Sequence, residues 1–191
     1  GKISKAHYSD LLRLEILYTH GGIWLDATVL LTDNAFPQEL LGDELFFYGM
    51  SKPSSNGNPI YLSSWAISSP VGHPVLAIAR TYLFDYWRQH DGLLDYFLFH
   101  IALCATMNTY PELAPKRLGF HNNAGPHLLL LNFHKPYSSD LFDEITSIST
   151  IHKLSYKYDE VVAGSMLDLL LDRVNQPAQA ATLTATGTLH V

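Results

Sequence analysis

Gly21-Gly22-Ile23-Trp24-Leu25-Asp26-Ala27-Thr28-Val29-Leu30-Leu31 decides how this chain is read. The glycine pair closes the helical pattern before it, because glycine readily takes the left-handed backbone at a helix C-terminus. A short apolar run follows, rich in the β-branched and aromatic residues that suit a strand. One carboxylate, Asp26, interrupts the run. An acid there is costly to desolvate unless something pairs with it, and a bound cation is one such partner.

Upstream, residues 4–20 read as a helix. At 100° per residue Tyr8, Leu12 and Ile16 fall on one side, and Leu11, Leu14, Leu17 and Tyr18 on another. A helix apolar nearly all round is expected to be buried. Its polar gap holds Ser9, Arg13 and His20, with Asp10 just past it, which turns Ser9, Asp10 and Arg13 toward an internal polar space. The plainer alternative is a surface Asp10–Arg13 ion pair at i,i+3, worth a few tenths of a kcal/mol.

Downstream, residues 44–48 and 60–68 read as strands, with a Ser, Asn, Gly and Pro loop over 51–59 between them. Residues 73–90 and 93–110 form two strong helical patterns whose aromatics, Tyr82, Phe84, Trp87, Tyr96, Phe97 and Phe99, are expected in the core. Residues 111–123 read as a connection and 128–131 as a short buried strand or helical turn. Residues 138–144 read as helix, 148–158 as a strand and 165–174 as a last amphipathic helix. One domain therefore spans 1–175, and 176–191, without periodicity, reads as a flexible tail. Alternating helices and short strands give the α/β class. In such folds ligands collect beyond the carboxyl ends of strands, and Asp26 stands at such an end.

Composition narrows the function. Nearly half of the 191 residues are apolar, and the formal charge of −6 argues against a general nucleic-acid binder. Ten histidines are scattered without zinc spacing, and the single cysteine, Cys104, reads as a core thiol with no disulfide partner in the chain. No apolar run reaches the roughly 18 residues of a membrane span, and no signal peptide is visible. The chain starts at Gly1 on the edge of a helical pattern, as a piece of a longer protein would.

Ser9-Asp10-Leu11-Leu12-Arg13 followed by Gly21-Gly22-Ile23-Trp24-Leu25-Asp26-Ala27-Thr28 resembles the signature of the capsular polysaccharide synthesis family of glycosyltransferases. It is similar also to the family-32 α-glycosyltransferases and the glucosylating clostridial toxins. Trp65, Gly72-His73-Pro74, Asp95-Tyr96-Phe97, Gly125-Pro126 and His152-Lys153-Leu154 extend the likeness in order, over about residues 5–157. The resemblance implies a GT-A-like nucleotide-diphospho-sugar transferase fold with a DXD-type motif, here with Thr28 where a second acid is usual. It also implies that the strand and helix holding the nucleotide base would precede Gly1, leaving the nucleotide pocket incomplete and the activity of this stretch by itself open.

The activity implied is transfer, with retention, of a sugar from a nucleotide-sugar donor to a glycan or polysaccharide acceptor. Mn²⁺ or Mg²⁺ would steady the departing diphosphate, held by Asp26, Thr28 and His152. Asp26 and Asp95 are the expected catalytic acids. Asp10 and Arg13 would grip sugar hydroxyls, Lys153 would neutralise phosphate, and Trp24 and Trp65 would wall the sugar pocket. Plainer roles stand beside these: a strand-end cap for Asp26, a helix N-terminal acid for Asp95, an exposed strand pair for His152 and Lys153, and core packing for both tryptophans. His100 and His127 read as structural. The same resemblance implies work in the cytoplasm at the inner face of a membrane, by peripheral association, or in the Golgi lumen of a eukaryotic cell.

Overall fold

The computed structural model describes residues 3–33, 36–50, 60–116 and 118–175. The loop expected over 51–59 and the tail after 175 lie outside these described residues.

The first helix, α1 (Lys5–His20), begins where Ser4 accepts a hydrogen bond from the backbone N–H of His7. It ends at Gly21, whose backbone φ of +65° and N–H bond to the Leu17 carbonyl close the last turn. A Cβ on Gly21 would lie 2.9 Å from the Ser69 carbonyl oxygen, so the turn into the sheet requires glycine there. The apolar run then divides: β1 (Gly22–Leu25) and β2 (Val29–Leu31) are separated by a turn that starts at Asp26. Asp26 thus stands at the carboxyl end of β1.

The main sheet runs in the order β1, β4 (Leu62–Ser69), β3 (Phe46–Gly49), β5 (Gly119–His121). β4 is antiparallel to both its neighbours, and only β3–β5 is parallel. β2 pairs antiparallel with β6 (Ile151–Lys153) in a separate two-stranded sheet. The fold is therefore mixed α/β built on small, largely antiparallel sheets. Helices α2 (Pro74–Gln89) and α3 (Leu98–Thr109) pack with α1 on one face of the main sheet. Successive strand residues face opposite ways, so Phe47 enters that helical core with Leu14, Leu76 and Leu103, while Phe46 and Tyr48 join Trp65, Leu40 and Ile151 on the far face. A third cluster, around Leu129, Phe133 and Met166, joins α4 (Leu128–Leu131), α5 (Ser139–Ile148) and α6 (Met166–Asn175). Cys104 is fully buried in the helical core, as its sequence setting implies.

Several sequence expectations are corrected. α1 is not buried all round: Leu11, Leu14 and Leu17 are covered by α2 and the sheet, but Tyr8, Leu12 and Ile16 are exposed, because those neighbours cover a single stripe. The second strong helix begins at Leu98 and not near residue 93, and Tyr96 and Tyr82 point outward. The connection over 111–123 contains β5, and the strand expected over 148–158 shrinks to three residues. Among the described residues no helix is long and apolar enough to cross a membrane.

Candidate functional site

Arg13 is the centre of a charged cluster at the carboxyl end of β1. Its Nη2 lies 3.3 Å from Asp26 Oδ1 and 3.4 Å from Asp10 Oδ1, and Nη1 donates to the Ser64 carbonyl at 2.6 Å. The guanidinium lies 5.2 Å from the ring centroids of both Trp24 and Phe99. Each contact follows from local structure. Asp10 and Arg13 share a face of α1 at i,i+3. The Ser64 carbonyl comes from an irregular stretch of β4, where the residues between Leu62 and Ile67 stand opposite Tyr48 in β3. The neighbouring Trp65 carbonyl accepts from the Asp26 N–H at 2.9 Å and fixes the turn. Trp24 Nε1 donates to Asp26 Oδ1 at 3.1 Å.

Lys153 closes the cluster from the other sheet. β6 pairs Lys153 with Val29, and its N–H donates to the Pro126 carbonyl at 2.8 Å. Its ammonium bonds Thr28 Oγ1 and the Leu154 carbonyl and lies 3.8 Å from Asp26 Oδ2. Asp10, Arg13, Asp26, Thr28, Trp24 and Lys153 thus meet at one place. The side chain of Arg13 is only 7% exposed, and that of Asp26 keeps 26%, an opening to solvent.

Burial sets the protonation of this corner. Asp10 is pushed up to about 6 by desolvation, with Arg13 and His7 pulling down and Asp26 pushing further up. Desolvation holds Lys153 below its ordinary value, Asp26 opposing and Arg13 adding. His100 and His127 are both lowered to about 4, first by burial, then by the charges of Arg13 and Lys153 respectively. They stay neutral near pH 7. Arg13 Nε, His100 Nδ1 and His127 Nε2 are buried with no hydrogen-bond partner, so unsatisfied polar atoms gather around the two cations. His100 and His127, read from the sequence as structural, stand against the two cations, and His7 had no role in that reading. The one available signal was the i,i+3 spacing of His7 and Asp10 on α1.

The remaining expected residues lie elsewhere. His152 is fully buried and turned from Asp26, its Nε2 3.2 Å from Thr32 Oγ1, because Lys153 next to it on the strand takes the site-facing side. It is neither an exposed strand residue nor a neighbour of Asp26. Trp65 stacks on Tyr48 with centroids 4.7 Å apart and donates to Asn122 Oδ1 at 2.9 Å, so its indole packs in the far-face core and only its carbonyl reaches the site. Asp95 accepts from the Phe97 N–H at 2.7 Å just before α3, the helix-end arrangement, in a loop whose Tyr96 carbonyl meets His7 Nε2 at 3.3 Å.

The donor set does not fit a divalent cation held by Asp26, Thr28 and His152. His152 faces away, Thr28 already accepts from Lys153, and an ion at Asp26 would meet two side-chain cations. Among the described residues no group of three or more His, Cys, Asp and Glu could hold a metal ion. Three open cavities among the described residues lie apart from this cluster. The roomiest of the three, about 530 Å³, is lined by Glu39, Glu44, Phe46 and Gly119, and one of about 220 Å³ by Tyr48, Gly125 and Pro126. A third, of about 320 Å³, lies by Gly22 and Ser68 at the opposite end of β1.

Fold and site together define a mixed α/β protein with a charged, polar site at a strand end. The chain belongs to the capsular polysaccharide synthesis protein family, whose model matches residues 1–170. Compared with curated proteins and with solved structures, it finds no match.

Proposed function

We propose that the chain is a glycosyltransferase of the GT-A type that moves a sugar from a nucleotide-diphosphate donor to a glycan or polysaccharide acceptor. The observation that carries this reading is the meeting of Asp10 and Arg13, from α1, with Asp26 at the end of β1. Membership of a capsular polysaccharide synthesis family supports it. A carboxylate accepts from two sugar hydroxyls, and a guanidinium held between two rings offers fixed, forked donors. Asp10 and Arg13 take the sugar, Asp26 orients Arg13 and Lys153, and Lys153 meets the diphosphate. His152 and Trp65 act through packing, and Asp95 shapes the loop before α3.

A second reading, a noncatalytic nucleotide- or glycan-binding remnant, is favoured by one observation: the four charges of the cluster already pair with one another. Hydrolysis of a panel of uridine- and guanosine-diphosphate hexoses by the full chain separates the two. The transferase reading expects slow donor hydrolysis that falls about 100-fold in Arg13→Lys and in Asp26→Ala, the scale of losing one transition-state contact. Equal rates in wild type and variants would remove the site from the reaction. Donor binding with no turnover would favour the remnant.

A further inference from the structure

Lys153 stands between the two motif side chains that, in the resembled enzymes, serve a divalent cation. Its ammonium bonds Thr28 Oγ1 and pairs with Asp26 Oδ2 at 3.8 Å. From this we propose, on the reading of the chain as a glycosyltransferase, that the Lys153 ammonium is the cation of this site and that sugar transfer needs no bound metal ion.

The charge balance agrees. Two motif carboxylates with a divalent cation sum to zero. Thr28 removes one carboxylate, and Asp26 with Lys153 again sums to zero. A divalent ion added to the present cluster would sit against Arg13 and Lys153 with Asp26 shared among all three cations, an arrangement that Coulomb repulsion disfavours. A lysine is a compact point charge with three donors on a flexible stem. Thr28 and the Leu154 carbonyl take two of those donors, which aims the ammonium and turns it toward Asp26 Oδ2 at the opening of the cluster. Backbone bonds hold the stem: Lys153 N–H to the Pro126 carbonyl, and Leu154 N–H to the Thr28 carbonyl at 2.9 Å. Thr28 and Lys153 are thus tied to each other by main chain as well as side chain.

In the transfer step the bond between the anomeric carbon and the diphosphate oxygen breaks, its electron pair leaving with the diphosphate. The acceptor hydroxyl oxygen forms the new bond to that carbon, and its proton passes to the departing diphosphate. Lys153 stays protonated throughout and offsets the charge that builds on the leaving group. Arg13 Nη2, 3.3 Å from Asp26, adds a second fixed charge nearby.

Uptake of Mn²⁺ alone, followed by loss of its free-ion electron paramagnetic resonance signal, tests this without a nucleotide. Wild type is expected to leave the signal unchanged, and the double variant Thr28→Asp/Lys153→Met to take up one ion per chain. Uptake by wild type that Asp26→Asn abolishes would overturn the proposal. So would failure of the double variant to bind while its circular dichroism stays native. Uridine and guanosine diphosphate then serve as ligand probes. Binding is expected to be the same with and without EDTA, about tenfold weaker in Lys153→Met, and restored in Lys153→Arg. Binding abolished by EDTA overturns the proposal. If neither nucleotide binds under either condition, the transferase reading fails, while the Mn²⁺ arm still decides whether Lys153 holds the ion's place.

Discussion

The roomiest of the three cavities among the described residues and the charged corner at the end of β1 are different places. The cavity of about 530 Å³ beside β3 and β5 is lined by Glu39, Glu44, Phe46 and Gly119, and the Glu44 there pairs with Lys116 at 3.9 Å, both largely exposed. The corner at the end of β1 has little open space but holds two acids and two bases, mostly buried, with three unsatisfied polar atoms around them. Space alone requires nothing of a sequence. Buried charge does, since each group has to be matched or its desolvation goes uncompensated. The corner therefore constrains residue identity far more tightly than the cavity, and chemistry is sought there.

Removing the central cation breaks the comparison most sharply. Arg13→Ala leaves Asp10 and Asp26 facing each other in a half-buried space and opens a gap between Trp24 and Phe99. A loss of about 3–5 kcal/mol is expected from urea unfolding, the range for stranding a buried charge. Lys116→Ala, which breaks the exposed pair beside the cavity, is expected to move the same midpoint by no more than experimental scatter. A comparable loss in both variants would erase the distinction between the regions.

A smaller effect probes the cavity wall from within. A Cβ on Gly119 would fall 2.4 Å from the ring of Phe46, which is itself buried and cannot swing aside freely. Gly119→Ala should cost about 1–3 kcal/mol as an overpacking change. It should leave nucleoside-diphosphate binding unaltered, because the strained residues lie away from Lys153 and Arg13. A binding loss as large as that of Lys153→Met would join the cavity to the working site.

How far the sequence disclosed this layout depends on how local the cause was. Ser4 and Gly21 bound α1 because caps act within a turn, so both its ends were legible. Asp26 at a strand end followed from one acid in an apolar run. The meeting of Asp10, Arg13 and Asp26 rested on a resemblance, since α1 and β1 are placed side by side by packing that no short window contains. The facing of His152 and Lys153 was misjudged because register decides it: one step along β6 reverses which neighbour points at the acid. β5 was invisible because a strand of three residues has almost no alternation, and its partner β3 lies about seventy positions earlier in sequence. The late start of α3 has a local cause that was overlooked: Asp95 takes the Phe97 N–H and holds the chain out of the helix until Leu98.

The subtlest test of the charged corner is its response to pH. Asp10 titrates at about 6 in the folded chain against an ordinary value of 3.8. Between those values the folded chain binds a proton that the unfolded chain does not. Its contribution to stability is therefore complete below pH 4 and lost as pH rises through about 6. His100 and His127, lowered to about 4 in the folded chain, act the other way: over the window up to 6.5 the unfolded chain binds the extra protons, so acid destabilises. The two trends oppose one another in the wild type. Asp10→Asn removes the compensating one, and the fall in unfolding free energy from urea titrations on acidification from pH 6.5 to 4.5 should steepen by about 2 kcal/mol, the part of the Asp10 shift that this window spans. An unchanged slope would mean that Asp10 titrates near its ordinary value. The corner would then be wet rather than desolvated, and its difference from the cavity wall would be one of charge without burial.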